Sequence, residues 1–199
     1  MVDVDGVIVA HPHPEGWSRE LENDLGISPD RLSRAFFARH WDDIVHGRAA
    51  LHGRLGPVLA EIAPHVTSQT LADYWFRRDA HLDSNLLGEL DELREQGLEV
   101  HLATVQEHER AGFLWTHLGL SEHCDATHYS AALGCTKPAA RLFELIEDRT
   151  GLSGAEVFFI DDKLSNVIDA RARGWNAAVW TGRRQLRELL AETGAWCGR

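Results

Sequence analysis

Four consecutive apolar residues, Val157-Phe158-Phe159-Ile160, run without a break into two acids, Asp161 and Asp162. A strand that is apolar at every position buries both of its faces. An antiparallel sheet with one wet face alternates apolar and polar residues, so the run points instead to a parallel sheet covered by helices on both sides. The neighbouring segments keep that rhythm. Leu98 to Thr104, Ala126 to Tyr129 and Ala177 to Trp180 read as further strands. Helical stripes lie between them. One is Leu86, Leu87, Leu90 and Leu93, with Ser84 as its cap and Gly97 as its stop. Another covers residues 107–118, and a third starts at Pro138 and continues through Leu142, Leu145 and Ile146. Residues 164–173 read as a fourth. Such alternation implies right-handed crossovers and a doubly wound, Rossmann-like α/β fold.

The chain opens with a short strand within Met1 to Val9, and His11-Pro12-His13-Pro14 ends regular structure there. From Trp17 to Asp83 no strand is readable. Apolar residues instead recur at helical spacing: Leu32, Ala35 and Phe36; then Leu51, Leu55, Val58, Leu59 and Ile62; then Leu71, Trp75 and Phe76. The expected division is an α/β core of residues 1–12 and 84–199, interrupted by a helical insert of residues 13–83.

A chain of 199 residues can bury a full core. Its net charge of −11 opposes binding to nucleic acid or to an anionic membrane surface. Three cysteines, Cys124, Cys135 and Cys197, form no disulfide framework and no CxxC pair. No charged leader with an apolar stretch opens the chain, and no run approaches the ~20 apolar residues of a membrane span. The expected setting is soluble, reducing and cytoplasmic.

Open α/β sheets bind ligands at the carboxyl ends of their strands. Asp3 and Asp5 follow the first strand, Thr104 ends the second, and Asp161 and Asp162 end the apolar run. Lys137, one of only two lysines beside Lys163, sits in the turn Gly134-Cys135-Thr136-Lys137-Pro138. Four clustered carboxylates raise one another's pKa, and a hard dication relieves that repulsion. Mg²⁺ prefers oxygen ligands and suits such a set better than zinc. A lysine and a threonine hydroxyl beside it suit a phosphate. One carboxylate can then attack as nucleophile, and a second can move the proton.

In this order the residues resemble the haloacid dehalogenase (HAD) superfamily of hydrolases. The chain carries DxDGV at Asp3 to Val7, a strand-end Thr104, S-x-x-L-G-x-x-K-P from Ser130 to Pro138, and F-x-D-D-x-x-x-N from Phe159 to Asn166. The last two patterns are similar to those of the superfamily's small phosphatases, and the insert resembles their helical cap of the first type. The resemblance implies Asp3 as nucleophile and metal ligand. It implies Asp5 as general acid/base, with its backbone carbonyl on Mg²⁺. Thr104 would hold the phosphoryl group, and Lys137 would steady nucleophile and phosphate. Asp161 and Asp162 would complete the metal site, directly or through water, with Asn166 supporting their loop.

The implied activity is Mg²⁺-dependent hydrolysis of a small phosphorylated metabolite, a sugar phosphate being the favoured class by resemblance, through an aspartyl-phosphate. Phosphomutase activity, 2-haloacid dehalogenation and a non-catalytic binding module are the alternatives. Members that cleave carbon–halogen bonds typically lack an acid at the position of Asp5, which favours phosphate chemistry. Two features depart from the family pattern. Only Met1 and Val2 precede Asp3, so the first strand is expected to be truncated or to begin upstream of Met1. Val105 stands where many relatives have asparagine, and that side-chain hydrogen bond is lost.

Trp41, His46 and Arg48 lie where an overhanging cap would meet substrate and are candidate substrate-binding residues with Thr104, Val105 and Lys137. The twelve histidines show no zinc spacing, and His101, His117 and His128 read as core positions. His11 and His13 read as exposed loop residues. Cys135 has no base beside it and reads as incidental. Taken singly, each motif has a plain reading: Asp3 and Asp5 as turn acids, Asp161-Asp162 as a helix cap, Lys137 as a solvated charge.

Overall fold

A computed structural model describes residues 1–10, 13 and 15–193. His11 and Cys197 lie outside the described residues.

Four parallel strands form around the chain's first residues: β1 (His101–Thr104), β2 (Ala126–Tyr129), β3 (Phe158–Asp161) and β4 (Asn176–Val179). β1 pairs with β2 so that Thr104 faces Tyr129, and β3 pairs with β4 so that Asp161 faces Val179. Val2 closes the gap by bridging in parallel to Leu102 on one side and Ile160 on the other. The order across the sheet is therefore β2, β1, the Val2 segment, β3, β4. Val2 N–H donates to His101 O at 2.9 Å and Asp3 N–H to Ile160 O at 3.0 Å. The central position is thus held by very few residues, as the short lead before Asp3 predicts.

The short strand expected before Gly6 comes down to the bridges at Val2. Beyond Asp3 the backbone folds into a tight turn in which Val7, Ile8 and Val9 all donate to the Val4 carbonyl. Gly6 takes φ +82° there, and a Cβ on it would stand 2.6 Å from Asp162 Oδ2. Only glycine both adopts that backbone and leaves room for the carboxylate. Val4, Val7, Ile8 and Val9 are buried beneath the turn. The strand read over Leu98 to Thr104 likewise begins only at His101. Val100 N–H goes instead to Asp125 Oδ2 at 2.8 Å.

The insert carries α1 (Leu21–Leu25), α2 (Pro29–Leu32), α3 (Ala38–Val45), α4 (Leu51–Ile62) and α5 (Ser68–Arg78). Their apolar faces, among them Leu32, Ile44, Leu55, Leu59, Leu71 and Trp75, form a cluster of their own, joined by Phe36 between α2 and α3. The chain leaves the sheet and returns to it along a two-stranded ribbon. Val9 bridges antiparallel to Leu82, Ala10 N–H donates to His81 O, and Asp83 N–H donates to Ile8 O.

The core adds α6 (Ser84–Glu95), α7 (His108–Gly112), α8 (Leu120–His123), α9 (Ser130–Leu133), α10 (Ala140–Thr150), α11 (Leu164–Ala172) and α12 (Leu186–Thr193). Asp83, not Ser84, caps α6, its carboxylate accepting from Asn85 and Leu86 N–H. α10 starts at Ala140, two residues after Pro138, because Ala139 keeps an extended backbone (φ −68°, ψ 130°) and stands as its N-cap. Two clusters cover the sheet. One includes Val2, Leu90, Leu102 and Ile160, and the other Phe143, Phe159, Val167 and Trp175. The insert touches the core again at Gly47, where a Cβ would lie 2.3 Å from the Ala131 carbonyl oxygen. No described helix is long and apolar enough to cross a membrane.

Candidate active site

Three carboxylates and one ammonium meet at the carboxyl edge of the sheet. Asp3 is placed by the Val2 bridges, Asp161 by the end of β3, and Asp162 by the turn that follows. One oxygen from each of Asp3, Asp161 and Asp162 can be chosen so that all lie within 4.8 Å of one another. Lys137 reaches them from the turn before α10. Its Nζ lies 2.8 Å from Asp3 Oδ1, 2.6 Å from Asp161 Oδ2 and 2.9 Å from the Ala103 carbonyl oxygen. An ammonium has three protons, and all three find acceptors. The same nitrogen lies 5.4 Å from the centre of the Phe159 ring.

Asp161 is fully buried, which its hydrogen bonds make tolerable. Asn166 Nδ2 donates to both of its oxygens at 2.9 Å, and Lys163 N–H donates to Oδ1 at 2.8 Å. Burial alone would raise its pKa, but the Lys137 charge and these donors outweigh it and hold the carboxyl below its ordinary value. Asp3 has fewer donors, Val4 N–H at 2.8 Å and Lys137. Burial first, and Asp161 after it, push Asp3 up to about 6 against the pull of Lys137. Asp162 is also raised, chiefly by burial, with Asp161 adding to it. Three acids face one lysine, and all the clustered donor atoms are carboxylate oxygens. That set fits a hard divalent cation and offers nothing to a soft one.

Asp5 stands apart from this cluster. Its Oδ1 accepts from Arg110 Nη2 at 2.7 Å and its Oδ2 from Gln106 Nε2 at 2.7 Å. Gln106 Oε1 in turn accepts from Arg110 Nε at 3.1 Å, which closes a ring of three side chains. Arg110 is buried and also pairs with Asp79 at the end of α5. Neither Gln106 nor Arg110 was among the sequence candidates. Their spacing of four residues, the second of them on α7, was the available signal. Glu107 between them caps α7 through Glu109 and Arg110 N–H. Burial holds its carboxyl above the usual range.

Thr104 is buried at the end of β1, with Gln106 Nε2 3.5 Å from its Oγ1. Val105 follows, half-buried, with no polar side-chain atom to offer. The other candidates are not drawn into this cluster by any described contact. Trp41 packs within the insert against Phe37 and Trp75. Arg48 is exposed and pairs with Asp42 and Asp43, and His46 Nδ1 lies 2.7 Å from Asp42 O. His101 and His128 are buried and in contact, Nδ1 to Nε2 at 3.2 Å, while His117 stacks on Phe113. Burial raises the Cys135 thiol against the weaker pull of Arg141 and Arg149, which favours the protonated form.

A family model for haloacid dehalogenase-like hydrolases matches residues 1–174. No curated protein sequence matches the chain. Among solved structures, a wild-type HAD family enzyme from Bacteroides thetaiotaomicron, in complex with magnesium and inorganic phosphate, superposes with a TM-score of 0.72 at 16% identity, covering 94% of this chain and 96% of that one. A predicted HAD-like family hydrolase from Porphyromonas gingivalis gives 0.76 at 19% identity, with 96% and 94% covered. A dehalogenase solved with an intermediate complex gives 0.61 at 17% identity, with 92% and 84% covered.

Proposed function

This chain belongs to the haloacid dehalogenase-like hydrolases, and from that premise we propose that it is a magnesium-dependent phosphatase of small phosphorylated metabolites, with Asp3 as nucleophile. The observation that carries the reading is the pairing of two different acids at one sheet edge. Asp3 is buried against Lys137, and Asp5, two residues on, is half-exposed and pinned by Arg110 and Gln106. Two carboxylates in unlike environments suit two unlike tasks.

Asp3, Asp161, Asp162 and the Asp5 backbone carbonyl would hold Mg²⁺, which when bound offsets the negative charge of the phosphoryl group. The Asp3 oxygen attacks phosphorus, and the bond from phosphorus to the ester oxygen breaks. Asp5 delivers its proton to that leaving oxygen, so a neutral alcohol departs and an aspartyl-phosphate remains on Asp3. Asp5, now a carboxylate, takes a proton from water as the water oxygen attacks phosphorus. The bond to Asp3 breaks, inorganic phosphate leaves, and both aspartates return to their starting states. Lys137 keeps Asp3 aimed throughout, and the Thr104 hydroxyl donates to a phosphoryl oxygen. The insert, joined through its two-stranded ribbon, would serve as the cap that covers the substrate and excludes water.

The relative from Bacteroides thetaiotaomicron, solved with magnesium and inorganic phosphate, supports the phosphate reading. Dehalogenase neighbours keep a second chemistry in play, but an acid pinned at Asp5 has no task in displacing halide. The test is phosphate release from a panel of phosphorylated metabolites, with Mg²⁺ and with EDTA, beside Asp3→Asn. Release is expected to need both the metal and Asp3, with the variant at least ~10³-fold slower. Halide release from 2-haloacids without phosphate release would overturn the reading. Transfer of the phosphoryl group to a second hydroxyl in place of water would make the protein a mutase.

A further inference from the structure

We propose that Arg110 is a positioning residue for proton transfer: it fixes the Asp5 carboxylate and ties it to the return linker of the insert through Asp79. The inference rests on the phosphatase reading above and gives the arginine that holds Asp5 a task of its own in that reading.

The side chain of Asp5 is 48% exposed, and a carboxylate so placed, left to itself, would sample several rotamers. Here both of its oxygens are occupied from one side. Arg110 Nη2 holds Oδ1 and Gln106 Nε2 holds Oδ2, while the Arg110 Nε to Gln106 Oε1 contact locks the two holders to each other. The arrangement fixes the plane of the carboxylate and leaves its open side to solvent and substrate. A proton-transfer group gains most from being held at one orientation.

The arginine itself has little freedom. Its side chain is 2% exposed, and burying a guanidinium is costly unless it is paired. Nη2 pairs with two carboxylates at once, Asp5 Oδ1 at 2.7 Å and Asp79 Oδ2 at 2.9 Å. The carbon at the centre of the guanidinium lies 5.9 Å from the centre of the ring of Trp75, on the helix that Asp79 follows as C-cap. During the proposed cycle Asp5 gives up a proton and takes one back. Asp79 leaves Arg110 with a carboxylate partner in both states, so the arginine can stay in place while Asp5 changes charge. Asp79 stands at the C-terminal end of α5, just before the ribbon that carries the chain back to the sheet. The position of the insert and the orientation of Asp5 therefore share one side chain.

The experiment compares Arg110→Met with the unaltered chain on two substrates that differ in leaving group, glycerol phosphate and p-nitrophenyl phosphate. An alkoxide leaving group needs the proton from Asp5, and nitrophenolate scarcely does. The expected result is a loss in kcat/KM of roughly 10²-fold on glycerol phosphate and less than about 10-fold on p-nitrophenyl phosphate. A purely structural defect would lower both alike. Independently of turnover, the melting-temperature losses of Arg110→Met and Asp5→Asn are expected not to add in the double variant. If Arg110→Met does not fold, Gln106→Met, which removes the other half of the ring without touching a charge, carries the same comparison. Equal losses on both substrates, additive melting losses, or a variant within threefold of the unaltered chain on glycerol phosphate would each overturn the proposal alone. Absence of magnesium-dependent phosphate release by the unaltered chain from these two esters and from the whole metabolite panel would overturn the phosphatase reading, and the proposal with it.

Discussion

Lys137 shows how much one side chain can decide. Its ammonium is the only side-chain cation in hydrogen-bonding contact with the Asp3–Asp161 pair among the described residues, and it spends a proton on each carboxylate. Removing it would leave two buried acids facing each other, and breaking a buried pair from one side costs about 3–5 kcal/mol. Lys137→Met is therefore expected to lose that much stability in EDTA, measured by urea denaturation. Added Mg²⁺ should recover part of it, since a dication would take over the neutralising role. A loss below ~1 kcal/mol would mean that water already screens the pair. Lys137 was legible in the sequence because lysine is rare in this chain and the residue precedes a proline in a recognisable turn. Arg110 was not, because it is one arginine among many and its partners, Asp5 and Asp79, lie far from it along the chain. Asp5 was legible as a residue, but not in its surroundings.

At the scale of elements, the apolar run at Phe158 to Ile160 and the short strand Ala126 to Tyr129 carry their own evidence, and the structure has both. In the first segment the shortness of the strand is legible from the two residues before Asp3, but the turn that follows is not. The Val4 carbonyl, by taking three N–H donors, turns the chain aside after Asp3. No side-chain pattern reports such a choice. The helical stripes of residues 21–76 face one another, and their cluster is distinct from those over the sheet. That separation has a consequence for stability. Leu55 on α4 is buried within the insert cluster. Leu55→Ala is expected to cost about 2–5 kcal/mol. Hydrogen exchange followed by mass spectrometry should show the lost protection over residues 21–76, while peptides over β3 and α11 keep theirs. Loss spread evenly over both regions would mean that insert and sheet unfold as one cooperative unit.

Stability against pH belongs to the whole molecule, since every buried titrating group contributes to it at once. His128 and His101 pack against each other beside the sheet, and His128 Nδ1 is buried with no hydrogen-bond partner. Burial, then the neighbouring His101, pushes His128 down to about 4, and burial lowers His101 as well. A ring that binds its proton more weakly in the folded state stabilises the fold above the ordinary imidazole value of 6.5, and that stability drains away as pH falls toward 4. Asp3 works in the opposite sense. Raised to about 6, it contributes below its ordinary 3.8, and that contribution is lost as pH rises through 6. Asp162 and Glu107 are raised too and lean the same way. A melting curve of the unaltered protein therefore mixes terms of both signs, and its slope names no residue. The difference between the unaltered chain and His128→Leu does, because the terms from Asp3, Asp162 and Glu107 are common to both and cancel. A displacement of the size at His128 corresponds to about 2–3 kcal/mol, or roughly 5–10 °C in Tm for a chain of this length. With EDTA present, the Tm of the unaltered chain minus that of His128→Leu is expected to fall by that much between pH 7 and pH 4. A difference that stays constant over this range would mean that the folded protein accepts the charged ring at no cost.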